Sequence, residues 1–233
     1  MDWAALQLSL KLAICTMLLL LPIGIWAGRL LAWTTFRNKY LIEALLALPL
    51  VLPPTVLGFY LLVAMGAESP IGRAYHALFG TQLTFSFAGL LIASLLFNLP
   101  FAVQPMQRAF EAIPREVREA ARCCGLSSWR ILRRIELPLA WPGILSAMVL
   151  TFAHTLGEFG VVLMVGGSIP GETRTIAIAI YDRVQAFDDH AAASMSAVLL
   201  LLLLTKSVVF SADRAFCRSQ GSLCRIAAPR LPV

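Results

Sequence analysis

Thr151, His154, Thr155 and Glu158 stand at i, i+3, i+4 and i+7 inside an otherwise apolar stretch. That spacing places four hydrogen-bonding groups, two of them ionisable, on one face of a helix. Ionisable groups inside a span are costly and usually face a bundle interior or a wet cavity. Two roles fit the pattern: lining a path for a polar solute, or pairing with one another across a helix contact. Glu158 is 17 residues beyond Trp141, about 26 Å along a helix at ~1.5 Å per residue, which puts it near an outer interface. Asn98, in another apolar stretch, carries the same two readings. No set of residues has the spacing of a catalytic centre or a metal site. The Cys123-Cys124 pair is adjacent, which is not zinc-ligand spacing.

The elements that must position these groups are apolar. Of 233 residues, 59% are hydrophobic and 14% charged, against about 45–50% and about 25% in soluble domains. The chain therefore reads as an all-α integral membrane protein. Five segments, 6–33, 41–65, 83–106, 137–165 and 191–210, each reach the ~20 residues needed to cross a ~30 Å hydrocarbon core. A sixth span arises if the long first segment splits. The apolar run from Leu6 is too long for a signal peptide. The stretch 166–190 is too short and too charged to span and reads as a re-entrant or surface helix. A transmembrane domain thus covers 6–210, followed by a tail over 211–233.

Charge sets the orientation. Arg29, Arg37 and Lys39 lie at and after the end of the first segment, seven arginines between Arg108 and Arg134 follow the third, and Lys206 with four arginines lies at the end of the fifth and in the tail. The alternate loops hold Arg73, Arg174 and Arg183 alone. By the positive-inside rule the richer set is cytoplasmic, with the N-terminus outside and the C-terminus inside. This also accounts for the net charge of +6 without nucleic acid. The five cysteines avoid the outer loops, so free thiols are expected. Prolines at 22, 49, 53, 54, 100 and 105 predict bent helices, and Gly143 with Ala147 permits a close helix approach.

The charged insert over 108–138 reads as two short helices. Pro114 suits the first helical position, Gly125 the left-handed position after the helix, and Ser127 or Ser128 can cap a second helix over 129–136. Val117, Ala120, Ala121 and Cys124 form a low apolar stripe. Such a stripe suits a partner's groove or, alternatively, the lipid surface.

Glu119-Ala120-Ala121, Gly125, Ile135, Leu137 and Pro138 stand in the order and spacing E-A-A-x3-G-x9-I-x-L-P. The pattern resembles the cytoplasmic loop by which ABC importer permeases dock their ATPase subunits. Two further stretches, Leu48–Gly58 (with Thr55 as a candidate pathway residue) and Ile169–Thr175 followed by Ala179-Ile180-Tyr181, are similar to molybdate permeases. Leu156–Gly160 is shared with sulfate permeases. Ser168 departs from an Asn expected before Ile-Pro-Gly, and a hydroxyl there can keep the turn.

The resemblance implies a type I ABC importer permease fold in the bacterial inner membrane. It also implies a homodimer, two ATPase subunits using ATP and magnesium, and a periplasmic molybdate-binding protein. It assigns Pro114, Val117, Glu119, Ala120, Ala121, Gly125, Leu137 and Pro138 to ATPase coupling. Tungstate or sulfate are alternative cargoes, and a non-transporting scaffold or sensor is the alternative class. The chain has no Walker A lysine: Lys11, Lys39 and Lys206 do not follow a glycine. No cofactor is expected in this chain, and an oxyanion cargo would be repelled by the Glu158 carboxylate.

Overall fold

The computed structural model describes residues 2–34 and 37–204. Among them every regular element is helical. The helix α1 (Trp3–Trp33) opens with Asp2, whose carboxylate accepts from the Ala5 amide at 3.0 Å, and runs unbroken through Pro22. The first segment therefore does not split. The bent pair α2 (Lys39–Val51) and α3 (Pro54–Met65) follows, then α4 (Pro70–Phe79), α5 (Phe87–Glu111) and α6 (Arg115–Cys123). Next come α7 (Ser128–Ile131), a π-helical turn (Leu132–Glu136), α8 (Leu137–Gly157), α9 (Gly160–Gly166) and α10 (Ile176–Gln185). The last described helix is α11, Asp189–Leu204. The end of the fifth apolar segment and the tail lie outside the described residues.

Among the described residues three helices are long and apolar enough to cross a membrane: α1, α5 and the continuous Ser128–Gly157. The second apolar segment makes a fourth only as a broken span, because α2 and α3 meet at a 106° bend. Pro53 and Pro54 cause the break. Pro53 sits at φ −54°, ψ 135°, and two consecutive residues without an N–H cannot continue the α2 ladder. The fourth segment is broken as well: α8 stops at Gly157, Glu158 is extended (φ −68°, ψ 126°), and α9 starts at Gly160. The two breaks are side by side, since a Cβ on Gly160 would come within 2.9 Å of Pro54 Cβ. One helix was not anticipated. α4 is capped by Ser69, whose hydroxyl accepts from Gly72 N at 2.8 Å, and ends at Gly80 with φ +70°.

The centre of the bundle is α1, α5 and α8. Lipid tails are as apolar as leucine, so such helices hold together by close packing and polar contacts rather than by the hydrophobic effect. Small residues make that approach possible. A Cβ on Gly28 of α1 would sit 2.9 Å from the Gln107 backbone of α5, and one on Gly143 of α8 would sit 2.3 Å from Ala109 Cβ. Beside them Met106, Phe110, Ile144 and Ala147 form a fully buried cluster. Gly143→Leu should therefore force α5 and α8 apart, at about 1–3 kcal/mol for overpacking. The check is thermal unfolding in detergent, and an unchanged midpoint would sink this account of the packing.

Candidate functional site

The loop between α5 and α8 is a rigid platform. Pro114 is the N-cap of α6 (φ −58°, ψ 138°) rather than its first helical residue. Its extended backbone turns the chain out of α5, and Glu116 and Arg122 at the two ends complement the helix dipole. At the other end Gly125 has φ +74°. Its N–H bonds Arg122 O at 2.9 Å, and the Leu126 N–H bonds Ala121 O at 3.2 Å. This is a Schellman closure, which satisfies carbonyls left open at a helix end. Nothing lies within 4 Å of a Cβ placed on Gly125, so only backbone conformation constrains that position.

Of the predicted stripe, Val117, Ala120 and Cys124 are exposed and Ala121 is buried. Glu119 is also exposed. The open face of α6 is therefore small, low and flanked by charge.

The expected second short helix is not separate. α7 and the π turn run directly into α8 and form one 30-residue helix. The Leu137 N–H reaches back five residues to Leu132 O, and the next residue is Pro138, inside the first turn of α8. The π turn takes up one extra residue just before the proline, so the helix passes it without ending.

That turn carries Glu136, which has no accessible surface. Its two carboxylate oxygens take Arg29 Nε of α1 at 2.5 Å and Arg118 Nε of α6 at 2.6 Å. Arg118 also lies over the ring of Trp33, 3.9 Å from its centroid. One buried carboxylate thus ties α6 to the ends of both α1 and α8. Sequence reasoning passed over Glu136 because it fills an unspecified position between Ile135 and Leu137. A carboxylate amid apolar residues, close to many arginines, was the available signal.

The polar face of α8 meets α5. Glu158 accepts from Ser94 Oγ at 3.0 Å and from Asn98 Nδ2 at 3.2 Å. Asn98 Oδ1 lies 3.0 Å from His154 Nδ1, and the His154 ring packs 3.9 Å from the centroid of Phe101. Glu158 is 4% accessible. Both bonds fall on Oε2, so Ser94 and Asn98 offset part of the cost of burying the carboxylate. Thr155 turns its hydroxyl back to Thr151 O at 2.8 Å. Thr151 is buried, and Thr55, at the start of α3, is exposed. Asn98, His154 and Glu158 come together, whereas Thr55 is not part of their hydrogen-bonded group. Ser94 was missed, since a lone serine in an apolar span gives little signal.

The turn after α9 is pinned. Ser168 Oγ donates to Asp182 at 2.9 Å and accepts from Arg174 Nε at 3.0 Å. The hydroxyl thus ties the turn to α10 through side-chain bonds.

The family described as the binding-protein-dependent transport system inner membrane component matches residues 21–219. The chain is 51% identical over 187 residues to the molybdenum transport system permease protein ModB of Azotobacter vinelandii, covering 80% of this chain and 83% of that protein. Identity to ModB of Escherichia coli K12 is 39% over 210 residues, 90% of this chain and 92% of that protein. Identity to the sulfate transport system permease protein CysW of Synechocystis is 33% over 206 residues, 88% and 74% of the two chains. The fold is similar to a bacterial ABC transporter involved in the import of alginate, with a TM-score of 0.73 at 15% identity, covering 90% of this chain and 78% of that one.

Proposed function

The chain belongs to the family of binding-protein-dependent transport system inner membrane components, and from that premise we propose that it carries molybdate across the cytoplasmic membrane by alternating access. It is a multi-pass permease subunit of an ABC importer, not an enzyme. In this reading two copies form the pathway, two separate ATPase subunits use ATP and magnesium on the arginine-rich side, and a periplasmic protein delivers the oxyanion. The observation that carries the coupling role is α6: its face is exposed, its end is closed by Gly125, and its base is fixed by Glu136. Closure of the ATPase pair would move α6 as one body. Because Arg118, Glu136 and Arg29 link it to α8 and α1, that motion would reach both helices.

The higher identity to ModB than to CysW favours molybdate over sulfate. The candidate pathway includes Thr55, Thr151 and Thr155. Glu158, Asn98 and His154 serve better as the clasp that holds the broken fourth segment against α5, because a carboxylate would repel the cargo. Competition uptake in vesicles holding the assembled importer tests the reading. Unlabelled molybdate and tungstate should displace labelled molybdate, and sulfate in large excess should not. Equal competition by sulfate would reassign the cargo, and no ATPase association at all would remove the chain from transport.

A further inference from the structure

We propose that the groove between the end of α1 and the α7–α8 helix binds an anionic glycerophospholipid, its phosphate at the arginines and one acyl chain lying along α1. The groove holds about 570 Å³. Its walls are apolar, with Pro22, Ile25 and Leu30 on one side and Leu132 and Leu137 on the other. Its rim is cationic, made by Arg29, Arg118 and Arg122, and among the described residues its lining includes no acid. Glu136 beneath it neutralises only one of the three charges, so the rim keeps an excess of positive charge for an anion.

Position along the helix argues for a lipid rather than a free anion or a soluble protein. Leu18, Pro22, Ile25 and Arg29 stand at i, i+4, i+7 and i+11, on one face of α1. From Arg29 to the exposed Leu18, one turn past Pro22 at the end of the groove's lining, is about 16 Å at ~1.5 Å per residue, roughly half of a ~30 Å hydrocarbon core. A cation at one end of an apolar track one leaflet deep matches a headgroup and a single tail. Trp26 and Trp129, at 69% and 66% accessible, flank the cationic end, where indole rings favour the headgroup level. A phosphate ion would need the arginines but not the track. A soluble partner would not follow the track into the span.

The test uses the permease assembled with its ATPase in vesicles, and reads tryptophan quenching by brominated lipids. Brominated phosphatidylglycerol should quench more strongly than brominated phosphatidylcholine at equal fraction. Arg122→Gln should lower that preference about fivefold, the effect of one basic residue near an anionic surface, while Arg122→Lys should keep it. Trp26→Phe with Trp129→Phe should reduce the headgroup-dependent part to what Trp33, the third tryptophan of the groove, reports, a readout that does not depend on the arginine variants folding. Equal quenching by both lipids, or a preference that survives Arg122→Gln, overturns the proposal. So does displacement by millimolar inorganic phosphate, which would mark a free-anion site. Quenching seen only in the isolated permease would overturn it too, since a protein subunit would then cover the groove in the assembly. The proposal depends on membrane placement alone, so its failure leaves the transport reading untouched.

Discussion

Glu136→Gln should destabilise the protein by about 3 kcal/mol, the lower end of the ~3–5 kcal/mol expected when one partner of a buried ion pair is removed. The carboxylate has no accessible surface and receives two arginines. The amide keeps the shape but leaves Arg29 and Arg118 facing each other without a counter-charge. The lower end applies because the two arginine side chains remain 27% and 13% accessible and can turn toward water or lipid phosphates. A shorter carboxylate, Glu136→Asp, keeps the charge but not the reach, and should fall between. The cost is one of lost pairing and not of intrinsic gain, so the double variant Glu136→Leu with Arg118→Leu should be less destabilised than the sum of its single changes. Thermal unfolding of the purified protein measures the first effect. Proteolysis of the 112–127 loop measures the second consequence, a looser α6. Wild-type stability in Glu136→Gln, with an equally protected loop, would remove Glu136 from its place as the anchor of the platform.

What the sequence made legible follows from where each determinant lies. α1 was readable because its apolar run is continuous, although the Asp2 cap starts the helix at Trp3, ahead of the expected 6–33 segment. The Gly125 turn was readable because its cause, a left-handed backbone position, belongs to one residue. The 106° bend was not. Pro49, Pro53 and Pro54 announce a weakness, but its angle is set by distant packing: a Cβ on Gly58 of α3 would meet Met164 of α9 at 2.8 Å. Hydropathy summed along 41–65 cannot register a change of direction. The helical period put Thr151, His154, Thr155 and Glu158 on one face; His154 and Glu158 do meet a common residue, Asn98, but α8 stops at Gly157 and Glu158 is extended, an interruption the period does not register. Their partners Ser94 and Asn98 are 60 or more positions from Glu158, beyond any local pattern. Glu136 and Arg29 are 107 positions apart, and the charge that binds them reads locally as an interruption of an apolar helix. Determinants within a turn or two were thus legible, and those closed by tertiary contact were not.

Gly125→Val should leave the protein folded and cut coupled transport at least about tenfold, a change worth roughly 1.4 kcal/mol of productive geometry. The residue sits at φ +74° with open space where a side chain would go, so no clash spreads into the bundle. The strain is local: an L-residue at a left-handed position costs roughly 1–2 kcal/mol, and a β-branched one is a true outlier there. The cheapest relief is to unwind the end of α6, giving up the bonds to Arg122 O and Ala121 O. Ala120 and Ala121 are on that last turn, so the face offered to the ATPase would lose its shape while Glu136 still held the base of the helix. Substitutions should therefore rank by backbone tolerance and not by size or polarity. Asn, which adopts positive φ readily, should retain most transport; Ala should be intermediate; Val should be worst. Uptake in vesicles, with ATPase association and thermal unfolding measured on the same preparations, separates a coupling defect from a folding defect. Wild-type uptake by the Val variant with normal ATPase association would falsify the role assigned to this turn. A defect that tracked side-chain volume instead of φ would place the constraint in the docked interface rather than in the helix end.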